Sequence, residues 1–234
     1  MREFENRVVL VSGAAGNLGK AVASAFYEAG AHLALSDLHP EPLLSAFADS
    51  SRVMVLGCDL TQADSSGDMV GKVLDRFGRI DAVAALTGGF SMGAPLHETS
   101  FGEWEIMMKL NTATLFNLVH AVVPHMRQRR AGRIVTVGAR TALSGKARMA
   151  AYTASKAAVI RMSESLSEEN KHYGINVNCV LPSIIDTPLN RRDMPDADFT
   201  KWVAPGALAD VIMFLASDAS RAIHGASIPV YGLC

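Results

Sequence analysis

The segment Ser12-Gly13-Ala14-Ala15-Gly16-Asn17-Leu18-Gly19 constrains this chain more than any other. It follows a short apolar run, Arg7 to Ser12, and opens a helical pattern from Asn17 to Ala29. Glycines between a strand and a helix allow a tight turn and let backbone N–H groups approach a pyrophosphate. The helix N-terminus adds partial positive charge facing it. A lone glycine-rich stretch is weak evidence. Here the context agrees: a strand before, a helix after, and an acidic residue, Asp37, closing the next strand. The bland alternative is a glycine turn with a helix-capping Asp.

The same alternation runs to the end of the chain. Strands are expected at Arg7–Ser12, His32–Asp37, Arg52–Gly57, Ile80–Leu86, Arg133–Val137, Ile175–Leu181 and Ala226–Val230. Helices are expected at Asn17–Ala29, Glu41–Asp49, Ala63–Phe77, about Glu103–Arg130, Ala150–His172 and Ala207–Ala216, with Pro124 bending or splitting the long fourth one. The strands are short and apolar on both faces, as in a parallel sheet covered by helices on both sides. The expected fold is α/β: a single-domain Rossmann fold spanning 1–234, with a doubly wound parallel sheet of about seven strands. Residues 182–205 form the one long irregular segment, the kind that serves as a functional loop.

Composition narrows the function. A chain of 234 residues, 49% hydrophobic and 19% charged with net charge -1, suits one globular domain. It gives no reason to expect nucleic acid or an anionic membrane as a partner. Arg127, Arg129, Arg130 and Arg133 read as complements to a helix end. No apolar run reaches about 18 residues, so no membrane span is expected, and Met1 to Arg7 does not read as a secretory signal. Cys58, Cys179 and Cys234 are scattered, which suits a reducing, cytoplasmic setting. The seven histidines form no metal-ligand pattern, and no metal is expected.

Two features carry chemistry. The Asp37 carboxylate is placed to accept hydrogen bonds from the adenosine ribose hydroxyls and to repel a 2′-phosphate. No Arg or Lys in Ser36-Asp37-Leu38-His39 offsets that repulsion, so NAD(H) is favoured over NADP(H). Tyr152 and Lys156 stand at i and i+4 on one helix and face the same way. A lysine cation near a phenol lowers its pKa from about 10, giving an acid or base usable near neutrality. Asp59, ending the third strand, is either an adenine contact or a helix cap. Phe90 and Trp202 are either covers for a planar substrate or core.

With the glycine turn, Asp37, Cys58-Asp59-Leu60, Lys109-Leu110-Asn111, the Tyr152/Lys156 pair and Ile185-Asp186-Thr187-Pro188, the sequence resembles the short-chain dehydrogenase/reductase family over nearly its whole length. The resemblance implies an NAD(P)-dependent oxidoreductase acting on a small molecule. Tyr152 would move the substrate proton, Lys156 would orient the ribose and Asn111 would hold a relay water. Gly13, Gly16, Asn17, Leu18, Gly19, Asp37, Asp59, Leu60, Gly88, Pro182, Ile185 and Thr187 would hold cofactor. It also implies a homodimer or homotetramer built on the two long helices.

Three departures stand out. Ala85-Leu86-Thr87-Gly88 replaces the family's Asn-Asn-Ala-Gly, Pro182-Ser183 replaces its Pro-Gly, and its substrate-orienting serine falls at Ala139. Losing one such donor typically costs on the order of a hundredfold or more in rate, unless Thr141 or Ser144 stands in. Asp186 to Trp202, with Gly138-Ala139-Arg140, resembles the substrate loop of the quinonoid dihydropteridine reductases. Those enzymes also lack the serine, prefer NADH and reduce an electron-poor ring. Three readings follow: a reductase of a pteridine-like ring, an ordinary ketone or secondary-alcohol dehydrogenase, and a dinucleotide-binding protein without catalysis.

Overall fold

The structure, a computed structural model, describes residues 3–47 and 51–234. Strands β1 (Val8–Ser12), β2 (His32–Asp37), β3 (Val53–Gly57), β4 (Ala82–Ala85), β5 (Gly132–Val137), β6 (Ile175–Pro182) and β7 (Ser227–Val230) form one sheet in the order β3-β2-β1-β4-β5-β6-β7. All six pairings are parallel.

Alternation along each strand splits the core in two. Val9 and Val11 of β1, with Leu33 and Leu35 of β2, pack under α1 (Asn17–Glu28), α2 (Glu41–Ala46) and α8 (Pro205–Ala216). Val8 and Leu10 face the other way, with Val83 and Ile134. They meet α3 (Ala63–Phe77), α5 (Thr114–Arg129) and α6 (Ala150–Asn170). Both faces of the sheet are therefore dry, which is why the strands read as continuous apolar runs.

Several expected boundaries move. The second helix ends at Ala46 with Phe47 as its C-cap, and the last two residues of its expected span, 48–49, lie outside the described residues. The last helix starts at Pro205, a residue suited to a first turn, where its missing N–H costs nothing. The expected helix 103–130 is not broken at Pro124, which lies inside α5. It is interrupted instead by a π-helical segment, Lys109–Ala113, between α4 (Phe101–Met108) and α5. Segment 182–205 is not irregular throughout. It contains α7 (Pro188–Asp193), capped by the Thr187 hydroxyl, a 3-10 turn at Phe199–Lys201, and a parallel bridge between Ile185 and Val203.

Helical residues Phe101–Arg129 run long and apolar enough to cross a bilayer by length and composition, contrary to expectation. A helix that packs one apolar face on a sheet passes the same test, and Leu115, Leu118, Val122 and Met126 of α5 are buried against this one.

Candidate active site

Strand order reverses between β1 and β4, and the carboxyl ends of these strands open a crevice where open α/β sheets bind ligands. The Ser12 hydroxyl at the end of β1 accepts from the Leu86 N–H at 3.2 Å and lies 3.4 Å from the Thr87 N–H, so the two crevice walls are tied at their base. Nothing in the sequence marks this serine beyond its place at a strand end.

The glycine turn has the shape that a pyrophosphate needs. Gly13 has φ +66°, and a Cβ there would stand 2.9 Å from the Thr87 backbone nitrogen. A Cβ on Gly19 would lie 2.1 Å from the Gly13 carbonyl oxygen, so no other residue lets α1 start this close to β1. Gly16 is the N-cap of α1, where no side chain caps the helix and no carboxylate sits in the first turn. The N-terminal field around Asn17 and Leu18 is thus left for an external anion. Asp37 is brought against this turn: its Oδ2 accepts from the Ala15 N–H at 2.9 Å and its Oδ1 from the His39 N–H at 3.1 Å. These residues fit a dinucleotide.

Asp59 Oδ1 accepts from the Thr61 N–H at 2.9 Å and from the Thr61 hydroxyl at 2.7 Å, bonds that hold the carboxyl below its usual range. The N-cap of α3 is Gln62, so Asp59 organises the preceding turn and is not the cap itself. The Leu60 side chain is buried, and its carbonyl accepts from Asn117 Nδ2 at 2.8 Å.

Lys156, Asn111 and Gly88 converge, with Tyr152 one turn before Lys156 on α6. A Cβ on Gly88 would sit 2.6 Å from Asn111 Oδ1 and 3.1 Å from Lys156 Nζ, so glycine here lets both side chains close over the end of β4. Asn111 is buried in the π-helical turn. Its amide donates to Ser155 Oγ at 3.0 Å and to the Gly89 carbonyl at 3.1 Å, while its Oδ1 accepts from the Gly89 N–H at 3.0 Å. One extra residue in that turn is a known device for re-aiming a helical side chain.

The Lys156 ammonium donates to the Val137 carbonyl at 2.8 Å, and burial pushes its pKa down to about 8. Burial pushes the Tyr152 phenol up to about 12. This is opposite in sign to the lowering expected from a nearby lysine cation. Burial is what displaces the phenol, and the Lys156 ammonium is bonded to a backbone oxygen. Tyr152 is accordingly a protonated phenol at neutral pH, able to donate a hydrogen bond or a proton.

Ala139 is buried in extended backbone at the end of β5, with no donor to offer. Of the two hydroxyls considered in its place, Ser144 is exposed, and Thr141 Oγ1 is buried with no protein partner. Trp202 does not stand open over the site. It is buried and packs on Phe199 at 4.8 Å. Phe90 is open to solvent and meets the Tyr152 ring nearly at right angles, with centroids 5.0 Å apart. Pro182 ends β6 in register with Val230; Ile185 and Thr187 follow it, with the Thr187 hydroxyl accepting from the Asn190 N–H at 3.2 Å. Among the described residues, no three His, Cys, Asp or Glu side chains are grouped to hold a metal.

Comparison with known proteins agrees with this geometry. The pattern of the short chain dehydrogenases matches residues 7–198. The chain is 32% identical to the (2S)-[(R)-hydroxy(phenyl)methyl]succinyl-CoA dehydrogenase subunit BbsD of Thauera aromatica, over 98% of this chain and 96% of that one. It is also 32% identical to the 3-oxoacyl-[acyl-carrier-protein] reductase FabG of Thermotoga maritima, over 98% of both. Among solved structures, NAD+-bound xylitol dehydrogenase superposes with a TM-score of 0.92 at 25% identity, covering 98% of this chain and 99% of that one. ElxO, which shares the fold at a TM-score of 0.90, was solved with NADP, so the fold alone does not choose between the two cofactors. By sequence, sheet order and site, the chain belongs to the short-chain dehydrogenase family of NAD(P)-dependent oxidoreductases.

Proposed function

We propose that this oxidoreductase uses NADH to reduce a small conjugated ring of the pteridine kind. The observation that carries the reading is Ala139, a buried methyl where the family's substrate-orienting hydroxyl stands, beside an intact Tyr152, Lys156 and Asn111. A carbonyl without a polarising donor reacts slowly. A ring that is already electron-poor has less need of one, and the 186–202 loop resembles that of enzymes acting on such rings.

The nicotinamide, when bound, supplies the hydride. The chain supplies the rest. The glycine turn and the start of α1 bind the pyrophosphate, and Asp37 takes the adenosine ribose. Asp59 and Leu60 flank the adenine, and Gly88 lets the cofactor pass close to β4. Pro182, Ile185 and Thr187 border the nicotinamide. Tyr152 gives its phenolic proton to the substrate atom that gains charge. Lys156 holds the second ribose and keeps positive charge near the phenol as it ionises. Asn111 fixes the Gly89 backbone and the Ser155 hydroxyl, and would hold the water of a proton relay. Asp37, in a Ser36–His39 stretch without Arg or Lys, favours NADH. The Asp37→Ala variant should then lose discrimination, read as the ratio of kcat/KM for NADH and NADPH; an unchanged ratio would sink the preference.

A second reading, reduction of simple ketones or oxidation of secondary alcohols, is favoured by the partnerless Thr141 hydroxyl two residues beyond Ala139 and by the names of the relatives. Steady-state oxidation of NADH with quinonoid dihydropterin, beside a panel of simple ketones, separates the two. Turnover of the pterin alone supports the first reading. Turnover of ketones alone, abolished in Thr141→Val, replaces it with the second.

A further inference from the structure

Phe90 is an aromatic side chain left 61% exposed, yet the backbone that carries it is held at three points. Asn111 clamps Gly89 from both sides, accepting from its N–H and donating to its carbonyl. The Ser91 hydroxyl donates to the Glu103 carboxylate. Gly93 donates to the Arg148 carbonyl at 2.9 Å and accepts from Arg148 Nε at 2.5 Å, with Arg148 itself in the left-handed region at φ +65°. A non-glycine residue held there costs energy that the surrounding contacts must offset, and such positions cluster at ligand sites.

The result is a strap across residues 89–93, tied at both ends, whose one aromatic group stands exposed against the Tyr152 ring, with Met92 exposed beside it in the chain. A solvent-facing phenyl gains little by being fixed, whereas one that receives a ligand loses less entropy for having been fixed beforehand. Ala139, at the end of β5, offers a methyl where a hydroxyl would be polar, and Leu143 after it is exposed.

We propose that Phe90 is the specificity-determining residue of the substrate site: its open face takes a flat, unsaturated ring and lays that ring beside Tyr152. The inference rests on the reductase reading above and narrows it from small molecules in general to planar cyclic ones. Stacking selects flatness, because a puckered ring of the same size cannot reach van der Waals distance over its whole area.

The test uses the wild-type protein saturated with NAD+, so that ligands bind without being reduced. Affinities for pterin, indanone and cyclohexanone are measured by calorimetry in wild type, Phe90→Leu and Phe90→Tyr. The two flat ligands should bind about tenfold more weakly to Phe90→Leu and keep their affinity in Phe90→Tyr, while cyclohexanone stays within about twofold in all three proteins. Equal weakening of all three ligands in Phe90→Leu, flat-ligand affinity unchanged by that substitution, or no binding of flat ligands to wild type would overturn it. NADH oxidation with quinonoid dihydropterin is read separately. Phe90-dependent binding without turnover upholds the stacking wall and removes the reductase reading alone.

Discussion

At the scale of single residues, buried position sets the chemistry of Tyr152 and Lys156. Both pKa values are displaced by desolvation, the phenol up to about 12 and the amine down to about 8. Through neutral pH the tyrosine therefore holds its proton and the lysine is still charged. In the reductive direction the rate should be level from about pH 6 to 7 and fall through about pH 8, as Lys156 loses the charge that supports the departing proton. Lys156→Met should lower the rate and abolish that alkaline limb in a pH–kcat profile; a limb that persists in the variant would assign it elsewhere. Tyr152→Phe should lower kcat by about 10²- to 10⁴-fold while leaving the dissociation constant for NADH nearly unchanged. Gly19→Ala acts by a different route. A Cβ 2.1 Å from a backbone carbonyl must push α1 off β1, so that variant should lose cofactor affinity at least tenfold, measured by NADH fluorescence titration.

At the scale of elements, ties between strand ends place the site, and one of them lies at the opposite, amino end of the strands. Asp81, just before β4, accepts from the Val8 N–H at 2.9 Å, from Arg79 Nε at 2.9 Å and from Arg129 Nη2 at 3.1 Å. It joins the start of β1 to the start of β4 and to the end of α5. Burial raises its carboxyl pKa, but the Arg79, Val8 and Arg129 bonds overcome that and leave it below the ordinary value. For a depressed carboxyl, the unfolded chain binds the proton at higher pH than the folded one. The stabilisation is thus complete above about pH 4 and is lost as pH falls through the folded value. Asp81→Asn should cost about 2–3 kcal/mol at pH 7 and much less at pH 3, in paired urea titrations. An equal cost at both pH values would refute the charge argument. The π-helical turn at Lys109–Ala113 is the second device at this scale. It aims Asn111 at Gly89 and Ser155, and periodicity does not reveal it because one extra residue hardly disturbs an apolar stripe.

At the scale of the whole molecule, one apolar surface is left over. Between α5 and α6 runs a groove lined by Phe116, Val119, Met162 and Leu166, with Phe116 exposed. The family resemblance makes these helices the expected seat of a second copy of the chain. A second copy seated there would cover part of a helical stretch of whose most apolar window only 33% is buried. Phe116→Glu should then convert a dimer or tetramer to a smaller species in sedimentation velocity; an unchanged sedimentation coefficient, or a monomeric wild type, would rule the face out.

Much of this molecule was legible without coordinates. The two-sided apolar strands, the glycine turn with Asp37 behind it and the Tyr152/Lys156 spacing are local patterns. Local patterns fix element type, sheet class and the register of side chains along one helix, because each depends on residues a few positions apart. What the tertiary structure alone decided lies in groups distant along the chain. The proton of Lys156 is engaged by Val137, and Asn111 closes on Gly89. Trp202 turns inward, and Phe90 stands over Tyr152. The sign of the Tyr152 pKa shift belongs there too. Desolvation and charge act through distance in space, and a sequence states only distance along the chain.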